Sequence, residues 1–159
     1  MREFLFLLFF NVLAWPVIHL LISWITLRIP DASFHPESRW FRLRGFEKNG
    51  KIYETLFSVK RWKGKLPDGA PWIGSDFRKA RITERTKAYF MRFQRETCRA
   101  EMAHWCTLAF APVFLWKGNP SWAVSVHFTY AIAANLPCIV VQRYNRGALG
   151  GILARKGIE

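Results

Sequence analysis

Two long stretches of the chain are almost free of charge, and a strongly basic stretch lies between them. The first apolar run, 4–27, reads FLFLLFFNVLAWPVIHLLISWITL. As a helix rising ~1.5 Å per residue it reaches across a hydrocarbon core of ~30 Å. It is too long for the apolar core of a signal peptide and no small-x-small cleavage site follows, so it reads as an uncleaved anchor. Pro16 predicts a local kink or break. Asn11 and His19 are expected to meet neighbouring helices, with a polar cavity at His19 as the sharper alternative.

Further on, the pattern ERTKAYFMRFQRETCRAEMAHW is helical and runs into the apolar MAHWCTLAFAPVFLW of 102–116. Together they predict one long helix over 84–116 that begins in the membrane interface and enters the bilayer. Thr83 is the expected N-cap and Pro112 the expected bend. KGNPS (117–121) is turn chemistry. The third span, 122–141, reads WAVSVHFTYAIAANLPCIVV, with Pro137 disturbing its helix. A short loop makes these last two spans a helical hairpin. The predicted fold class is an all-α integral membrane protein, a single membrane domain over 1–159. It has about three transmembrane helices, with interfacial amphipathic helices between the first and second.

Charge refines this layout. The chain of 159 residues carries a formal net charge of +13 with 51% apolar residues. Eighteen of the 24 Lys and Arg fall in 28–101 and four from Arg143 onward, while Arg2 and Lys117 are the others. The positive-inside rule then puts the N-terminus and the 117–121 turn outside the cell membrane, and the central segment and the 142–159 tail in the cytoplasm. Residues 28–83 mix these cations with Phe34, Trp40, Phe41, Phe46, Tyr53, Phe57, Trp62, Trp72 and Phe77, too apolar a mixture for a disordered tail. Such interleaving suits a headgroup layer, in which rings bury one end and cations meet anionic lipid. EKNG (47–50) and LPDG (66–69) are expected to break the segment. No RNP, KH or helix-turn-helix pattern is visible, so nucleic acid is not expected as a partner.

The candidate chemistry sits in two clusters. In RETCRAEMAHW (95–105), Glu101 and His104 share a helix face where the helix enters the membrane. A carboxylate beside an imidazole is the arrangement of a general base; a structural hydrogen-bonded pair is the competing reading. Glu-x-x-His also resembles one arm of a di-iron site, but the second arm is missing and no metal is expected. Cys98, Cys106 and Cys138 lack C-x-x-C spacing and are expected as reduced packing residues. The second cluster is NLPCIVVQRYNR (135–146). Asn135, Gln142, Arg143, Tyr144, Asn145 and Arg146, with Arg99, are expected at the same leaflet as His104, where arginines suit phosphate or carboxylate; ordinary positive-inside flanking is the alternative.

RLRGFEKNGKIYETLFSVKRWKGKLPDGA, ETCRAEMAHW, the NP turn and NLPCIVVQRYNR, in that order over about Arg42 to Arg146, resemble the glycosyl-4,4'-diaponeurosporenoate acyltransferase family of staphyloxanthin-type carotenoid biosynthesis. The resemblance implies transfer of a fatty acyl group onto a hydroxyl of a glycosylated lipid or carotenoid, from a donor such as acyl-CoA or acyl carrier protein. The chain lacks the His-x4-Asp motif of soluble-type glycerolipid acyltransferases. With His104 as base and Glu101 orienting it, the arginines would hold donor phosphates or the developing oxyanion. The alternative is a non-enzymatic membrane subunit that docks onto a larger membrane complex or anionic lipid.

Overall fold

A helix uncharged from Phe4 to Leu27 has no polar face to offer water, and the structure leaves it largely uncovered. In the computed structural model, which describes residues 2–66, 77, 82–115 and 118–155, helix α1 (Arg2–Arg28) runs without interruption through Pro16. Phe6, Phe9, Val12 and Val17 are each about 60% exposed. The described elements are all helical. Short helices α2 (Lys51–Phe57) and α3 (Val59–Trp62) follow, then the long α4 (Lys87–Ala109) and α5 (Ser121–Arg155). Two helices, over Phe6–Arg28 and Ser121–Arg155, are long and apolar enough to cross a membrane.

Three boundaries differ from the sequence expectation, each for a local reason. The N-cap of α4 is Thr86, whose hydroxyl accepts from Tyr89 N at 3.2 Å, not Thr83. Helix α4 stops at Ala109 and continues as a 3-10 turn, Ala111–Leu115. Pro112 has no N–H for the Leu108 carbonyl and disfavours helical backbone at Ala111. Helix α5 does not end near Val141 but runs on to Arg155. Its second half has a partner: Leu149, Ile152 and Leu153 pack with Phe90 and Phe93 at the start of α4, and with Phe77.

Helix α1, the end of α4 with its 3-10 turn, and the first half of α5 lie side by side. Trp15 packs with Phe114 and Ala131 in their shared core. A polar chain is threaded through it. Trp15 Nε1–H donates to His127 Nδ1 at 3.0 Å, and His127 Nε2 contacts Asn11 Oδ1 at 2.5 Å. Those two bonds require the proton on Nε2. Asn11 Nδ2 donates to Leu7 O and to Asn119 Oδ1, and Asn119 Nδ2 to Phe114 O. Each member therefore closes the hydrogen-bonding requirement of the next, which apolar surroundings demand. Asn11 does meet its neighbours, as expected; His19 packs its ring against Trp15 and Tyr130.

The other end of α1 is closed by Arg99. Its Nη1 donates to the carbonyls of Thr26 (2.5 Å) and Ile29 (2.8 Å), and it pairs with Asp31 and Glu96. A guanidinium at a helix C-terminus satisfies orphan carbonyls and meets the negative end of the dipole.

Between α1 and α4 the basic segment is folded onto the helices. Phe34 and Phe41 pack with Cys98, and Val59 is fully buried. EKNG is a turn, as expected, made by three successive left-handed residues, Lys48, Asn49 and Gly50. LPDG extends into residues outside those described. The 48–50 turn lies against α5 at Gly147, where a Cβ would collide with the Asn49 carbonyl and Gly50 N. Gly147→Ala should therefore cost about 1–3 kcal/mol through overpacking against backbone, which cannot swing aside. A denaturation midpoint equal to that of the parent protein would remove this close approach from the account.

Candidate functional site

The turn that Gly147 admits delivers Glu47 into the interior. Glu47 closes a 3-10 turn, Gly45–Glu47, its carboxylate accepting from Arg44 N at 2.5 Å. Glu101 arrives from α4 and Arg143 and Arg146 from α5. Both carboxylates are buried, Glu47 at 0% and Glu101 at 1% exposure, so each requires a counter-charge.

Arginine supplies it through its planar fork. Arg143 grips Glu47 with Nε and Nη2, both at 2.7 Å, and turns Nη1 to Glu101 Oε1 at 2.6 Å. Arg146 places Nη2 2.6 Å from Glu101 Oε2 and donates to Phe41 O and to Thr97 Oγ1. Tyr53 donates its hydroxyl to Glu47 Oε1 at 2.5 Å and receives Arg143 Nε at 3.1 Å. Two carboxylates and two guanidinium groups thus form one neutral network that ties α4, α5 and the 41–53 segment together. Burial alone would push the Glu47 carboxyl up; the bonds from Arg143, Arg44 and Tyr53 outweigh it and hold the group below its ordinary value. Burial and the bond to Glu47 push Tyr53 up to about 12.

Above this network lies an open groove of about 480 Å³. Glu47, Tyr53, Glu101 and Arg143 contribute its polar floor. Its walls are Trp40, Phe46 and Phe57 on one side and Trp105, Leu136, Ile139 and Val140 on the other. Most of these wall residues are strongly exposed, Trp40 at 84%. Trp105 also places Nε1 3.4 Å from Glu101 Oε1.

The residues singled out in the sequence divide among different tasks. Glu101 and Arg143 line the groove, but the two oxygens of Glu101 serve Arg143 and Arg146. Arg146 is buried beneath the groove, and the guanidinium of Arg99 closes α1. His104, one turn along from Glu101, has Nδ1 3.0 Å from Asn135 Oδ1. Asn135 spends its own Nδ2–H on Ala131 O, so its Oδ1 is the acceptor. The histidine therefore donates from Nδ1. Neither His104 nor Asn135 is among the described residues lining the groove. Asn145 Oδ1 accepts from Lys63 Nζ at 3.0 Å, and that ammonium stands 5.0 Å from the Tyr144 ring centre. Gln142 is buried, and its Oε1 has no hydrogen bond among the described residues. Burial pushes the Cys98 thiol up to about 11, which suits packing and not nucleophilic attack. Among the described residues no cluster of His, Cys, Asp and Glu is arranged to hold a metal ion.

Glu47, Tyr53, Trp40 and Phe57 were missed by the motif reading. Their signal lies in EKNG, which by itself reads as a turn, and in the interleaved aromatics, which by themselves read as headgroup chemistry.

Fold and groove together define a class: a small helical protein, apolar on the outside along half its length, that presents an amphipathic groove over a buried ionic network. Within that class, the chain belongs to the glycosyl-4,4'-diaponeurosporenoate acyltransferase family, whose sequence profile matches residues 37–155. The glycosyl-4,4'-diaponeurosporenoate acyltransferase of Staphylococcus aureus strain Newman is 32% identical over 160 residues, covering 99% of this chain and 96% of the relative. That of the bovine strain RF122 / ET3-1 is 31% identical over 153 residues, covering 96% and 92%. No solved structure matches the chain.

Proposed function

We propose that this protein is a membrane-held acyltransferase that moves a fatty acyl group onto a sugar hydroxyl of a glycosylated carotenoid or a closely related glycolipid. The observation that carries the reading is the groove. Aromatic and aliphatic walls suit an apolar chain and the CH faces of a sugar, and the charged floor offers hydrogen bonds to its hydroxyls. The activity for which the relatives are named supports the same acceptor class.

In this reading α1, the 102–115 segment and the first half of α5 cross the bilayer. The uncovered apolar residues of α1, together with Phe110, Val113, Leu115, Trp122 and Val126, form their lipid-facing belt. The basic segment and the ends of α4 and α5 that pack through Phe90, Phe93 and Leu149 lie in the cytoplasm, following the Lys/Arg distribution. The groove then opens at headgroup level, where an amphiphile's sugar sits. Anionic lipid meets the surrounding cations.

The donor is a thioester, on coenzyme A or an acyl carrier protein. The sugar oxygen bonds to the thioester carbonyl carbon as its proton passes to a base, for which His104 is the candidate, one turn along α4 from Glu101 and next to Trp105, both of which line the groove. The carbon–sulfur bond then breaks, and the thiol leaves with that proton. Asn135 orients the imidazole, and Glu101 anchors the floor through the arginines.

The test supplies membranes carrying the protein with a glycosylated carotenoid and acyl donors, and reads the acylated product by mass. Val140→Trp, which fills the groove from its wall, should raise the acceptor KM about tenfold or more while the protein stays folded. Unchanged acceptor kinetics would take the acceptor out of this groove, and no product from the parent protein would sink the reading.

A further inference from the structure

The ionic network changes where a donor's phosphates can be held. Arg99, Arg143 and Arg146 are committed to internal partners, so the cations available to a ligand must lie elsewhere. Arg44 lines the groove itself, its Nη2 donating to Arg39 O; the densest run of further cations is one short stretch that follows the Phe57 wall. Lys60, Arg61 and Lys65 are exposed, and Lys63 is half-buried, in α3 and the 3-10 turn Lys63–Lys65 that follows. None of the four is in a salt bridge among the described residues. The nearby acid, Glu54, spends one carboxylate oxygen on Lys60 N at 2.9 Å.

This shelf is built and not a floppy basic tail. Val59 is fully buried beneath it. Ser58, at φ +50°, turns α3 away from α2. Trp62 Nε1–H is held by Phe57 O at 2.8 Å, and Phe57 is itself a groove wall. Lys63 is fixed on the other side by Asn145 and the Tyr144 ring. Burial pulls its ammonium below the ordinary lysine value, and a bound anion would offset that cost. Shelf and groove therefore share a wall, one cationic and the other apolar over a neutral floor.

We propose that the Lys60–Lys65 shelf is the site for the phosphates of the acyl donor, and that the donor is a coenzyme A thioester. This rests on the acyl-transfer reading above. Four cations within six residues match a compact polyanion, such as a nucleoside diphosphate bearing a further phosphate. A carrier protein would need a far broader face, ~800 Å² on each partner. With its phosphates on the shelf, a donor can extend its pantetheine arm past Phe57 into the groove. Anionic lipid headgroups share the phosphate chemistry, and the experiment must separate the two.

The test titrates coenzyme A itself against the detergent-solubilised full chain, with Trp fluorescence as readout, and repeats it on the triple variant Lys60→Glu, Arg61→Glu, Lys65→Glu. These side chains are exposed, so the thermal midpoint should hold. The parent protein should bind coenzyme A in a salt-sensitive manner, and the variant about tenfold more weakly or worse. In the transfer assay the variant should raise the donor KM and leave the acceptor KM unchanged. Equal binding by the two proteins overturns the proposal. So does a parent protein that binds vesicles rich in anionic lipid but not coenzyme A, or one that accepts acyl groups only from a carrier protein. Because the titration does not depend on turnover, a failure of acyl transfer and a failure of the shelf are read separately.

Discussion

Glu101→Ala should destabilise the protein by about 3–5 kcal/mol, the largest effect expected of any single substitution. The carboxylate is 1% exposed and balances Arg146, itself 3% exposed, at 2.6 Å and Arg143 at the same distance. Its removal strands the buried Arg146, whose one described carboxylate partner is Glu101, and leaves Arg143 with Glu47 alone. The loss should be cooperative, because Arg143 also holds Glu47 and Glu47 holds Tyr53. Glu101→Gln keeps the shape and some hydrogen bonding and should cost less. Denaturant unfolding in detergent reads both variants. If Glu101→Ala unfolds at the parent midpoint, Glu101 is not the keystone of this network.

The second large effect is chemical. His104→Gln should lower kcat by about 10²–10⁴ with little change in the acceptor KM, since a base acts in the transition state and not in binding. The geometry for that role comes from Asn135, which fixes the tautomer, and not from the carboxylate three residues earlier. Asn135→Ala should give a smaller fall in kcat and a shifted pH profile. Full activity in His104→Gln would take His104 out of the proton transfer.

Comparison of these two residues shows what a sequence can reveal. The helical spacing of Glu101 and His104 correctly places them a turn apart on one helix, but spacing cannot say which neighbour each will choose. That choice depends on the rotation of α4 against α5, which sets Glu101 against Arg143 and His104 against Asn135. The long helices themselves were legible because uncharged runs have few alternatives. Their ends were legible only where one residue decided the matter, as Pro112 does for α4. The extension of α5 beyond Val141 was hidden, since its cations resemble a flanking tail until Leu149 is seen against Phe90 and Phe93. Glu47 was hidden more deeply. Nothing local distinguishes a carboxylate in EKNG that faces water from one that the left-handed turn and Gly147 direct inward. In the same segment Phe41 and Val59 went to the core, whereas Trp40 and Phe57 went to the groove wall. Composition assigns all four to one amphipathic layer.

The length of α5 gives the molecule a scale. From Ser121 to Arg143 is about 33 Å of helix, close to the ~30 Å of a hydrocarbon core. In the proposed topology the helix is a gauge rod with one end at the far surface and the reaction site marked on it one bilayer away. The enzyme would then measure its acceptor by altitude: a sugar is acylated when its membrane-buried chain holds it at the height of the Arg143 mark. Lipids that thicken or thin the membrane move that mark relative to the headgroups. The same protein would thus work at different rates on the same acceptor in membranes of different thickness.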